Sequence, residues 1–115
     1  MKMYILVKKS LTSHKCVGIA HGVLMCHLKF HTPNNGVSYL QMKQCNRDYE
    51  NWLSNSFKKV ICDVTDEEFE SAKTIENNVV VTESSLDNKE IALVFCPRPN
   101  EEWPIQFKYF KMINF

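Results

Sequence analysis

The sequence predicts an α/β fold, with three α-β-α layers around a four-stranded mixed sheet. Three observations carry this expectation. Met3, Tyr4, Ile5, Leu6 and Val7 form an unbroken apolar run, as in a strand buried on both faces. A helical apolar period follows, and then a second strand-like run over residues 58–64. That strand–helix–strand order implies parallel pairing through a right-handed crossover. The link between the runs at 79–81 and 91–96 is too short for a crossover helix, so those two should form an antiparallel hairpin.

The elements follow in order. A first strand is expected over residues 3–9. Residues 10–13 make a polar turn in which Thr12 or Ser13 can cap a helix. Val17, Ala20, His21, Leu24 and Leu28 then recur at helical spacing, predicting an amphipathic helix over 13–30 with this stripe inward. Gly18 and Gly22 lie one turn apart on it, which implies close approach by another element, because glycine costs a helix interior about 1 kcal/mol. Thr32, Pro33, Asn34, Asn35 and Gly36 break the helix, and a loop is expected to residue 44. Tyr49, Trp52, Leu53 and Phe57 predict a second helix over 46–56, capped by Asn46 or Asp48. Val60, Ile61, Cys62 and Val64 give the second strand. Thr65 and Glu68 are spaced as a capping box, opening a third helix over 66–76 that buries Phe69, Ala72 and Ile75. Strands at 78–82 and 91–96 complete the sheet, and the aromatic segment 105–113 should pack as a terminal strand or clasp.

Composition bounds the protein. With 115 residues, 44% hydrophobic and 23% charged, one domain over residues 1–115 can hold its own core. Frequent aromatics exclude disorder as the main state. A net charge of +1 excludes a strongly basic or acidic chain but leaves a local basic face open. The five cysteines, Cys16, Cys26, Cys45, Cys62 and Cys96, form no Cys-x-x-Cys pair, so neither a zinc site nor a disulfide framework is expected. Free thiols suit a reducing compartment. No apolar run approaches the roughly 20 residues of a membrane span. The apolar N-terminal stretch is too short for a signal peptide, and Lys8 and Lys9 follow it at once. The protein is therefore expected to be cytoplasmic, with no membrane partner.

No phosphate-loop, dinucleotide or nucleophile-elbow motif is present. The first strand ends in Lys8 and Lys9, and the first helix opens with Ser13, His14 and Lys15. Ligands of α/β sheets favour the carboxyl ends of parallel strands, and helix N-termini favour anions. His14, Gly18 and His21 share a helix face. His21, on the apolar stripe, is expected to be a hydrogen-bonded core histidine. His27 and His31 have a metal-capable spacing without a third ligand in reach, so no metal and no cofactor are expected. Thr82, Glu83, Ser84 and Ser85 follow a strand as a polar loop, where function concentrates.

The chain resembles the type II peptidyl-tRNA hydrolase superfamily, in its small divergent members. The resemblance runs over nearly the whole chain. It is carried by Tyr4-Ile5-Leu6-Val7-Lys8-Lys9-Ser10-Leu11, by Ala20-His21-Gly22, by Phe57-Lys58-Lys59-Val60 through Thr65-Asp66-Glu67-Glu68-Phe69, and by Glu90-Ile91-Ala92-Leu93-Val94-Phe95-Cys96-Pro97. It implies a four-stranded mixed sheet with helices on both faces, and often a homodimer. It implies cleavage of the ester joining a peptidyl or aminoacyl group to the tRNA 3′ end. His14 stands where the family's helix carries a lysine, with Lys15 beside it, and Gly18 stands in place of a glutamine. Glu83 falls at the family's aspartate, followed by Ser84 and Ser85 in place of its Ala-Gly. On this reading Glu83 orients or deprotonates water, directly or through Ser84, and His14 or Lys15 stabilises charge. Lys8, Lys9, His21, Lys58, Lys59 and Arg98 are the candidates for substrate contact. A non-catalytic tRNA- or protein-binding module on the same scaffold is the alternative, with Trp103, Phe107, Tyr109 and Phe110 as a partner surface; a small-molecule hydrolase is a third.

Overall fold

The computed structural model describes residues 1–31 and 41–114. The loop expected over 32–44 falls mostly on residues 32–40, outside the described residues. The fold is α/β, a mixed sheet with helices packed on both faces. The strands are β1 (Met3–Lys8), β2 (Lys59–Val64), β3 (Asn78–Glu83), β4 (Lys89–Phe95) and β5 (Lys111–Met112). The helices among the described residues are α1 (Lys15–Phe30), α2 (Gln44–Asn51) and α3 (Asp66–Lys73).

The sheet order is β3-β4-β1-β2-β5. β1 and β2 pair in parallel, with Met3 opposite Lys59 and Lys8 opposite Val64. β4 runs antiparallel to both β1 and β3, as the short link requires. β3 therefore points the same way as β1 and β2, so three strands end at one edge of the sheet. The expectation of four strands is corrected to five. β5, only two residues long, pairs antiparallel with the outer side of β2 and supplies partners to an otherwise open edge.

Alternation along β1 divides the core. Met3, Ile5 and Val7 face α1 and α2, whereas Tyr4 and Leu6 face α3 and the C-terminal segment. Tyr49 and Trp52 join the first core. The Trp52 indole donates to the Lys58 carbonyl at 2.7 Å. α2 runs on into a π-turn over Trp52–Ser56, which ends at Phe57 in a left-handed conformation (φ 54°). α3 opens with the expected capping box, the Glu68 N–H donating to Thr65 Oγ1 at 3.1 Å and the Thr65 N–H to Glu68 Oε1 at 2.9 Å. The aromatic tail is core. Trp103 and Phe107 stack edge-on against Tyr4 and Phe95, and Phe110 closes on Phe107. Of the four tail aromatics expected as a partner surface, only Tyr109 is exposed.

The first helix begins at Lys15 rather than residue 13. Residues Lys9–His14 form 3₁₀ turns with a kink at Leu11, and no side chain caps α1. Its buried face is also not the expected stripe. Gly18, Gly22, Cys26 and Phe30 face the sheet, whereas Val17, Leu24 and Leu28 point outward and His21 is exposed. The small residues win because they let the helix backbone approach the strands. A Cβ on Gly18 would stand 3.1 Å from Ile91 Cδ1. One on Gly22 would collide with Val94 Cγ2 and lie 3.1 Å from Val81 Cγ2. Gly22→Ala should therefore destabilise the fold by about 1–3 kcal/mol, as overpacking outweighs the gain in helix propensity. Urea unfolding of Gly22→Ala, Val94→Ala and the double variant checks this. The double variant should be more stable than the two single losses summed; simple additivity would reject the contact.

Candidate functional site

The edge where β1, β2 and β3 end lies beside the start of α1. β1 delivers Lys8 and the turn through His14, and β3 delivers Glu83 and the 3₁₀ turn Ser84–Leu86. On the α1 side of this edge Glu83 lies within electrostatic reach of His14 and His21. His14 ends the 3₁₀ segment just before α1, and His21 lies on α1 seven residues later.

Glu83 is held by its own turn. Its Oε1 accepts from the Ser85 N–H and from the Ser85 hydroxyl, both at 3.1 Å. The backbone bond, then the hydroxyl bond, draws the Glu83 carboxyl below its ordinary pKa. Slight desolvation opposes this, and the charges of His14 and His21 lower it further. Glu83 is thus an ionised carboxylate in the field of two imidazoles. Ser85 holds it; Ser84, expected as a relay between Glu83 and water, is exposed. His14 in turn is joined to Ser13, with Oγ 2.9 Å from Nδ1.

Lys15 is not free to face a substrate. Its Nζ donates to Asp63 Oδ2 at 3.3 Å and lies 3.2 Å from Oδ1. The two side chains are only 16% and 9% exposed. The sequence reading missed Asp63, although a carboxylate inside the apolar run of β2 was a signal that a cation must come to it. The pair ties the first turn of α1 to the end of β2.

The other expected contacts divide between two ends of the sheet. Lys8 lies on the opposite face, its Nζ 4.7 Å from the Phe69 ring centroid. Lys9 is exposed beside Ser10, Asp66 and Glu67. A groove on that side is lined by Lys8, Ser10, Asp66, Asn88, Lys89 and Glu90, and its carboxylates make it a poor seat for a phosphate. Lys58, Lys59 and Arg98 stand at the far edge, roughly 20 Å away along a six-residue strand. There Lys59 covers the Trp52 and Phe57 rings, and desolvation lowers its pKa. Arg98 donates to the Glu76 carbonyl and lies over Trp103. These three do not share a surface patch with His14.

His27 and His31 stack, ring centroids 4.6 Å apart. His27 Nδ1 is 2.8 Å from the Tyr49 hydroxyl, and His31 is 3.6 Å from Glu50. The spacing read as metal-capable serves to link α1 to α2. No group of three or more metal-ligating side chains is gathered among the described residues. No helix among them is long and apolar enough to cross a membrane.

A scan against protein-family models finds none that matches the chain, and a search of curated proteins finds no significant match.

Breaking the Lys15–Asp63 pair should strand a buried charge. Lys15→Met is expected to cost about 3–5 kcal/mol in urea unfolding, with most of this recovered in Lys15→Met/Asp63→Leu. Equal losses in the single and double variants would show that the pair does not hold α1.

Proposed function

We propose that this protein is a hydrolase resembling the type II peptidyl-tRNA hydrolases, cleaving the ester between a peptidyl or aminoacyl group and the tRNA 3′ end. The observation that carries the reading is the Ser13–His14 contact at the edge where three strands end, within electrostatic reach of Glu83. Ester cleavage needs a group that accepts and returns a proton, and a carboxylate that steadies it while charged. His14 fills the first role and Glu83 the second, with Ser85 fixing the carboxylate. His21, between Val17 and Leu24 on the outer face of α1, adds charge near Glu83 and is not given a substrate contact. No metal or cofactor enters the reading.

The charge pattern supports an RNA substrate. All thirteen Asp and Glu fall at or beyond Asp48, so β1, the turn after it and α1 carry only lysines and histidines. In the fold, Asp66, Glu67 and Glu90 stand beside Lys8 and Lys9, so phosphate contact there rests on the outward reach of the two lysines alone. Lys15, being paired, is set aside as a phosphate contact.

Glu83→Gln should reduce turnover of purified peptidyl-tRNA by at least about 10²-fold. Thermal stability should stay within roughly 0.5 kcal/mol of the wild type, as for an exposed turn. Binding of uncharged tRNA should persist and weaken steeply with salt, the slope flattening in Lys8→Ala/Lys9→Ala. Full turnover by Glu83→Gln would defeat the assignment. The uptake of Lys15 by Asp63 favours a second reading, a tRNA-binding module without catalysis. Salt-dependent binding with no turnover in the wild type would select it.

A homodimer formed through α1 belongs to the same proposal. Val17, Leu24, Met25 and Leu28 form an outward apolar strip, with Leu28 73% exposed. Lys15 is paired with Asp63, and Lys29, exposed, donates to the Asn78 carbonyl. The strip itself carries no lysine, so a second copy laid antiparallel would meet apolar side chains there. Sedimentation velocity should show a dimer that Leu24→Asp/Leu28→Asp converts to monomer; a monomeric wild type at high concentration would reject it.

A further inference from the structure

The turn before α1 holds a nucleophile as well as a base. Ser13 is exposed, and its hydroxyl lies 2.9 Å from His14 Nδ1, within reach for direct proton transfer. We infer that Ser13 is the nucleophile of the site and that ester cleavage passes through an acyl-Ser13 intermediate with His14 as its base. This rests on the ester-hydrolase reading above and names the group that attacks.

The geometry gives each participant one task. The His14 ring nitrogen facing Ser13 receives the hydroxyl proton as Oγ forms its bond to the ester carbonyl carbon. The resulting tetrahedral oxyanion collapses, the bond to the leaving oxygen breaks, and His14 returns the proton to that oxygen, releasing the alcohol. Water then attacks acyl-Ser13 and gives its proton to His14. Oγ recovers a proton as the carboxylic acid departs, so the enzyme is restored and one water is consumed. Glu83, whose carboxyl is lowered by His14's charge, puts a negative charge near the histidine in both half-reactions. Negative charge developing beside Ser13 meets the start of α1, which has no carboxylate in its first turn and no side-chain cap. Adjacent residues can form this pair because the kinked 3₁₀ turns of Lys9–His14 turn both side chains to one side. The other serine near the site, Ser85, donates its hydroxyl to Glu83 and has no imidazole partner. Esters suit this site because an alkoxide is a better leaving group than an amide nitrogen, and a tRNA 3′ oxygen is one.

The test uses the full chain and two probes, a fluorophosphonate that traps activated serines and p-nitrophenyl butyrate as a plain ester. Peptide mapping should place the phosphonyl adduct on Ser13. Labelling should vanish in Ser13→Ala, fall at least tenfold in His14→Gln, and persist in Ser54→Ala, a distant serine bonded to Glu50. Ester turnover should fall at least about 10²-fold in Ser13→Ala with unchanged thermal unfolding. An adduct elsewhere, no adduct, or Ser13→Ala turning over as fast as wild type would overturn the covalent route. Peptidyl-tRNA assayed in parallel separates the two claims. If Ser13→Ala still cleaves it at the wild-type rate, the hydrolase reading stands and Ser13 falls. If Ser13 is labelled and p-nitrophenyl butyrate is cleaved while peptidyl-tRNA is not, the nucleophile stands and the tRNA reading falls.

Discussion

The close approach of α1 to β4 and β3 is the constraint on which the rest of the structure depends. Gly18 and Gly22 let the helix backbone settle onto Ile91, Ala92, Val94 and Val81. Larger residues at these positions would lift the helix from the sheet, and its N-terminus with it. Because α1 lies low, its first turn stands level with the ends of β1, β2 and β3. His14 and His21 then share the field of a carboxylate that is remote in sequence. The same approach turns the larger apolar residues of α1 outward, which leaves the strip at Leu24 and Leu28.

Electrostatics fix the second coordinate of the helix, its position across the sheet. Lys15 reaches down to Asp63, a buried carboxylate at the end of β2. Removing either charge leaves the other where solvent cannot compensate it. The pair is therefore better understood as a tether than as chemistry. It removes from the site the cation that the resemblance suggested and leaves the proton-handling role to His14. The tether holds the helix end to β2, and the glycine contacts set the helix against β4 and β3.

Much of this was legible in the sequence. The apolar run of β1, the Thr65–Glu68 capping box and the short link before β4 each have one physical reading, and each led to the right element. The direction of β3 followed from that link, and with it the sheet edge at which β3 ends. Other features were hidden for definite reasons. Periodicity weighs large apolar side chains, so Val17, Leu24 and Leu28 outvoted a buried face made of glycines and Cys26. Two residues of β5 carry no pattern of their own. The tail aromatics gave no sign of which side they would face until Tyr4 and Phe95 supplied a surface. Asp63 was visible as an anomaly within a strand, but only the fold could name Lys15 as its partner. Ser85 holds Glu83 because of the turn geometry, which neighbouring serines do not reveal.

The central claim is that α1 is held so that His14 and His21 share their field with Glu83. Carbon-13 NMR titration of the Glu83 side-chain carboxyl measures that directly. The account predicts a midpoint below the ordinary glutamate value in the wild type. It should rise when Ser85→Ala removes the hydroxyl bond, and rise again when His14→Ala and His21→Ala remove the facing charges. A Glu83 carboxyl that titrates at its ordinary value, and does not respond to loss of either histidine, would contradict it.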